Sequence, residues 1–155
     1  MERQASQRPN LKYPLFCEEA LSEMIVRGHL VEGIFRISGL GSQISLLEDS
    51  FNRGETVSFA EVDIHIVAGL FKKFLRDLPS PLLTYQFSEA FVENEAIALD
   101  DPDLLEMIRE HICALPSVNY ELLRNIMLLS QKIVRASEQT KMSPQVSSSS
   151  VLCIF

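Results

Sequence analysis

Asp63-Ile64-His65-Ile66-Val67-Ala68-Gly69-Leu70-Phe71-Lys72-Lys73-Phe74-Leu75-Arg76-Asp77-Leu78-Pro79-Ser80-Pro81 is the stretch on which the fold turns. Ile64, Val67, Ala68, Phe71, Phe74 and Leu75 recur at helical spacing and form one continuous apolar face. Asp63 is placed to accept the first free backbone N–H groups as an N-cap, and Pro79 and Pro81 forbid continuation. His65, Gly69, Lys72 and Arg76 fall on another face, small in the middle and basic at one end. That face reads either as a solvated surface or as a docking surface on which Gly69 permits close approach.

Working outward, the same reasoning finds more helices and no strand. Pro14 opens a helix to about Arg27, with Cys17, Leu21, Met24 and Ile25 on one side and Gly28 as an expected left-handed stop. Ser42 is expected to cap a helix carrying Ile44, Leu47 and Phe51, closed by Gly54 behind Arg53. Further helices are expected from Thr84 into the low 90s, from Asp101-Pro102 to about Ala114, and from Asn119 to about Ala136. Leu104, Ile108 and Ile112 mark one buried stripe; Leu122, Ile126, Leu129 and Ile133 mark another. No segment alternates apolar and polar residues for long, so the expected fold is an all-α helical bundle.

The chain has 155 residues, 46% of them hydrophobic, which suits one domain with an appreciable core. Its formal charge of −7 opposes nucleic-acid binding, which relies on a surplus of Lys and Arg against phosphates. No apolar run approaches the ~20 residues of a membrane span, and Met1 to Asn10 lacks the apolar core of a signal peptide. The expectation is therefore a cytoplasmic protein without an integral membrane segment. Cys17, Cys113 and Cys153 are widely spaced and read as reduced thiols. His29, His65 and His111 are scattered and suggest no metal site, and Asp100-Asp101 is better explained by capping before Pro102 than by acid/base work.

Self-contained catalysis has little support: GxSxG, HExxH and the phosphate loop ending in Gly-Lys-Ser/Thr are all missing. The more telling feature is Val31-Glu32-Gly33-Ile34-Phe35-Arg36-Ile37-Ser38-Gly39, bracketed by glycines and too short to bury a helix face. In such a constrained loop the apolar neighbours can anchor the backbone while Arg36 projects. Arg36 reads either as an ordinary surface arginine or as a reaching cation, whose planar fork of donors suits phosphate.

Gly33-Ile34-Phe35-Arg36-Ile37-Ser38-Gly39 resembles the signature loop of Rho GTPase-activating (RhoGAP) domains, and Gly69 through Leu82 resembles their second signature at the expected separation. The likeness runs from Tyr13-Pro14 through Leu115-Pro116 and Asn119 to Lys141-Met142-Ser143-Pro144. It implies a GTPase activator rather than an enzyme in its own right. Arg36 would be an arginine finger inserted beside the γ-phosphate of GTP on a Rho, Rac or Cdc42-like partner. Lys72 and Arg76 would support the finger loop and contact the GTPase, with Gly33, Phe35, Gly39, Leu78, Pro79 and Pro81 supporting the two motifs. The domain would need no cofactor or metal of its own, because the partner carries GTP and Mg²⁺, and recruitment to membranes would come through the GTPase or through domains outside this chain.

The likeness thins toward the end. Family members usually read Asn-Lys-Met and, a few residues later, Asn-Leu-Ala with an apolar helix; here the chain reads Thr140-Lys141-Met142-Ser143-Pro144-Gln145, then Val146-Ser147-Ser148-Ser149. Val146 occupies the place of the second asparagine. The expected organisation is thus a flexible segment over 1–12, a RhoGAP-like domain over 13–145 lacking the last family helices, and a divergent serine-rich tail over 146–155, as from alternative splicing. Three functions follow as expectations: a working activator, a truncated form that binds weakly or is inactive, and a helical interaction module unrelated to hydrolysis.

Overall fold

The computed structural model describes residues 14–93 and 101–143, and among these every regular element is a helix. The proposed segment 1–12 and the tail 146–155 lie outside the described residues. Pro14 sits at the N-cap of α1 (Leu15–Val26), where its missing N–H costs nothing. Phe16, Cys17, Ala20, Leu21 and Met24 make the buried face. A short 3₁₀ turn, Gly28–Leu30, follows, then the loop, α2 (Gly41–Asn52) and α3 (Ile64–Arg76). The remaining helices are α4 (Thr84–Glu93), α5 (Pro102–Ala114), α6 (Ser117–Arg135) and the single turn α7 (Ser137–Thr140).

Three local readings change. Gly28 is not the left-handed stop, for only Gly33 and Gly54 among the described glycines have positive φ. It is instead buried, and a Cβ there would meet Ile64 Cγ1 at 3.0 Å, a tight contact that Ile64 would have to yield to. Ser42 lies inside α2 rather than capping it, because the Leu40 carbonyl already accepts from Gln43 and Ile44. α6 starts at Ser117, ahead of Asn119, whose side chain donates to the Leu82 carbonyl at 2.8 Å and ties the turn after α3 to α6. Asp63 does cap α3, accepting from His65 N, and Asp101 caps α5 by accepting from Asp103 N and Leu104 N.

The core forms where α3 packs on α1 and α2 and where α1 packs on α6. Phe16 stands at its centre, 4.9 Å from the Phe74 ring in an edge-on arrangement and 5.5 Å from Phe51. Leu122, Ile126, Leu129 and Ile133 of α6 close the other side, as their spacing implies. On α5 only Leu104 is fully buried; Ile108 and Ile112 are half-buried, so this helix lies at the margin. The irregular connection 53–63 is held from within by Arg27, which donates to the Phe59 and Val62 carbonyls and pairs with Glu23. Unpaired backbone carbonyls in a half-buried connection are costly, and one guanidinium satisfies two of them.

Cys17 is buried in this core, and desolvation pushes its thiol well above the ordinary range, whereas Cys113 is exposed. A folded-state pKa above the unfolded one stabilises the fold below the ordinary thiol range and loses that contribution as the pH rises. Alkylation of the native protein should therefore modify Cys113 and spare Cys17 until denaturant is added. Peptide mass mapping checks this, and labelling of Cys17 in the native state would contradict the assigned packing of α1.

Candidate functional site

The loop after the 3₁₀ turn gains its shape from a few residues with distinct tasks. Gly33 has φ +66°, and its carbonyl accepts from both Arg36 N and Ile37 N at 2.8 Å. Phe35 also has positive φ, 67°, a conformation that costs a residue with a Cβ roughly 1 to 2 kcal/mol. Two contacts hold it there: its ring is buried beside the fully buried Ile34, and its carbonyl accepts from Lys72 Nζ at 3.0 Å. The loop then crosses α3 at Gly39, where a Cβ would lie 2.7 Å from Ile66 Cα. Only glycine allows the two backbones to approach so closely.

The outcome is a division of the loop between anchor and presentation. Ile34 and Phe35 point into the core, while Arg36, Ile37 and Ser38 are exposed. Among the described residues no side-chain hydrogen bond or ion pair engages the Arg36 guanidinium, and one of its terminal nitrogens lies over Gly33, 3.5 Å from where a Cβ would stand. A side chain at Gly33 would also clash with Ile37, at 2.6 Å.

α3 supplies the second side of the site. Lys72 is half-buried and reaches the loop, whereas Arg76 is exposed and forms no described bond to it. Gly69 admits a helix rather than an open surface: a Cβ there would meet Ile44 Cδ1 at 2.6 Å, so α2 lies against it. His65 is partly buried, and its Nδ1 finds no hydrogen-bond partner among the described residues. Leu78 and Pro81 are half-buried and Pro79 exposed in the turn after α3, which Leu82 pins by complete burial.

Several contributors escape a reading of sequence alone. Lys73 bridges Glu48 of α2 at 2.9 Å and Asp77, tying two helices together beside the site. Asp77 lies four residues on and is visible as a helical pair, but Glu48 is not. Gly33 N–H donates to the Thr140 carbonyl at 2.7 Å, joining the loop to the distant end of α7. No local pattern marks that contact.

Among the described residues no cluster of His, Cys, Asp and Glu could hold a metal ion. A groove of about 320 Å³ lies between α2 and the start of α3, lined by residues such as Leu46, Leu47, Glu61 and Ile66. Gln43, Glu61 and Asp63 supply its polar lining. The loop thus presents the exposed Arg36, with Ile37 and Leu40 as exposed apolar neighbours in sequence, and Arg76 is exposed on α3.

A family model for the RhoGAP domain matches residues 14–148. The chain belongs to the RhoGAP family. This RhoGAP domain is 35% identical over 131 residues to Rho GTPase-activating protein gacY of Dictyostelium discoideum, covering 84% of this chain and 18% of that protein. It is 39% identical over 118 residues to Rho GTPase-activating protein 68F of Drosophila melanogaster, covering 72% of this chain and 23% of that protein. The chain therefore spans less than a quarter of the length of these curated relatives. The crystal structure of human Rho GTPase activating protein 15 superposes with a TM-score of 0.86 at 29% identity, covering 99% of this chain and 74% of that one. The all-α architecture is shared with it.

Lys72→Met removes the donor from the Phe35 carbonyl while keeping much of the stem that packs on the loop. The RhoGAP domain should lose about 1 to 2 kcal/mol of stability in denaturant titration. Tryptic cleavage after Arg36 should accelerate about tenfold, because cleavage follows the population of the opened loop. An unchanged cleavage rate would mean that the Lys72 bond does not restrain it.

Proposed function

We propose that this chain stimulates GTP hydrolysis by a Rho-family GTPase, with Arg36 supplied in trans as an arginine finger. The observation that carries the reading is an exposed guanidinium, without a side-chain partner among the described residues, on a loop whose neighbouring backbone is fixed at Gly33, Phe35 and Gly39. Phosphoryl transfer spreads negative charge over phosphate oxygens, and a cation delivered without loop reorganisation stabilises that charge as it develops. A finger of this kind is worth ~10³ to 10⁵ in rate, or about 4 to 7 kcal/mol of barrier.

The other residues then have supporting tasks. Lys72 holds the loop through the Phe35 carbonyl, and Arg76, exposed one turn further along α3, meets the switch region of the GTPase. Exposed Ile37 and Leu40 exclude water from the joined surfaces, which strengthens each charged contact there. The hydrolytic site, its GTP and its Mg²⁺ belong to the partner, and this domain needs no cofactor of its own. No described helix is long and apolar enough to cross a membrane, so membrane placement would follow the GTPase or other domains.

A second reading, binding without stimulation, is favoured by Val146, which stands where the family resemblance places an asparagine. Valine cannot donate or accept a side-chain hydrogen bond.

Single-turnover GTP hydrolysis by Rho, Rac and Cdc42-type GTPases separates the two. The full chain should accelerate hydrolysis by at least one of them, and Arg36→Ala should reduce that acceleration by about 10³ or more. Binding to the GTP-loaded partner should change far less. Equal acceleration by Arg36→Ala would refute the finger assignment, and binding without acceleration by the unaltered chain would establish the second reading.

A further inference from the structure

Thr140 is the sole buried polar or charged residue among the described ones, with no measurable exposure of its own. A buried hydroxyl survives in a core only when its hydrogen bonds are satisfied. Here Thr140 Oγ1 lies 3.1 Å from the Ala136 carbonyl and 3.2 Å from the Ile133 carbonyl, to which it donates, and it accepts from Met142 N at 3.3 Å. The hydroxyl therefore bridges the end of α6 to the chain that leaves α7. The next residue, Lys141, adopts a left-handed conformation with φ 54°, and Met142 beyond it is fully buried. Both features fix the direction of the Thr140 carbonyl.

That carbonyl accepts from Gly33 N–H at 2.7 Å, and the Gly33 carbonyl in turn accepts from Arg36 N–H at 2.8 Å. A continuous run of hydrogen bonds thus leads from the end of α6, through one side chain, to the backbone of Arg36. Lys72 holds the loop at Phe35, from the α3 side; Thr140 holds its entrance, from the opposite end of the sequence. We propose that Thr140 is a positioning residue: its hydroxyl sets the carbonyl that fixes Gly33, and so the direction in which Arg36 leaves the loop. This rests on the finger reading for its functional consequence but not for its structural one.

Valine is the informative replacement, because it keeps the shape of threonine and removes both donor and acceptor. Serine keeps the hydroxyl and loses only a methyl group. The full chain, Thr140→Val and Thr140→Ser should be compared by amide hydrogen exchange and by stimulated GTP hydrolysis. In Thr140→Val the amides of Gly33, Arg36 and Ile37 should exchange about tenfold faster or more, while those of Phe71 and Leu75 in α3 keep their protection. The kcat of stimulated hydrolysis should fall about tenfold to a hundredfold with KM nearly unchanged, since a misdirected finger affects the transition state more than docking. Thr140→Ser should restore both.

Unchanged exchange at Gly33, loss of protection spread equally over loop and α3, or failure of serine to restore the loop overturns the proposal. If valine prevents folding, the unaltered chain decides: Gly33 and Met142 amides must open together and exchange with the same protection, and separate values overturn the link. A chain that stimulates no GTPase refutes the proposed function, while the exchange comparison still settles the hold of Thr140 on the loop.

Discussion

The approach of the loop and α2 to α3 is the constraint on which the rest of the structure depends. Gly39 brings the loop backbone against Ile66, and Gly69 lets Ile44 of α2 settle on the same helix. A side chain at Gly39 would meet the Ile66 backbone and displace the loop, whereas one at Gly69 would meet the flexible tip of Ile44, which has to shift to admit it. α3 can accept this contact because its other side is already buried, packed on α1 with the Phe74 ring against Phe16. The helix serves as both the core of the bundle and the floor of the site.

This arrangement explains why a non-glycine residue can occupy a left-handed conformation at Phe35. The cost is local, but burial of the phenyl ring stabilises the same conformation by roughly 1.5 to 3 kcal/mol, enough to offset it. The reversal of backbone direction at Gly33 and Phe35 is also what separates the buried pair Ile34 and Phe35 from the exposed Arg36 and Ile37. The loop that presents Arg36 lacks the repeating backbone bonds of a helix, and bonds from outside it, from Lys72 to the Phe35 carbonyl and from Gly33 N–H to the Thr140 carbonyl, hold its shape.

Legibility in the sequence follows the range of each interaction. The faces of α1, α3 and α6 are visible because burial imposes a period on contiguous residues, and the caps Asp63 and Asp101 are visible because their partners lie within three positions. The glycine-flanked loop announces itself by composition. What it rests on does not: Thr140 is an unremarkable polar residue until folding places its carbonyl on Gly33, and Asn119 marks a helix end until its amide meets Leu82. Gly28 and Ser42 were misleading for a related reason. Each residue type has a common local use, and here a tertiary contact in one case and an earlier carbonyl in the other took precedence.

The electrostatics of the site follow from the same geometry. The chain carries a formal charge of −7, so a cation near the loop has many potential partners. Adjacent residues of a helix point about 100° apart, and this alone gives Lys72 and Lys73 different fates. Lys73 turns toward α2 and is engaged by Glu48 and Asp77, whose hydrogen bonds push its ammonium above the ordinary lysine range. Lys72 turns toward the loop and meets a carbonyl, which neutralises none of its charge. Exposed ion pairs contribute little to stability, so the main consequence of the Lys73 pairs is to occupy Glu48 and Asp77. Glu48 and Asp77 are thus engaged by Lys73. In a chain of net charge −7, Arg36 thus stands exposed with no side-chain bond or ion pair among the described residues.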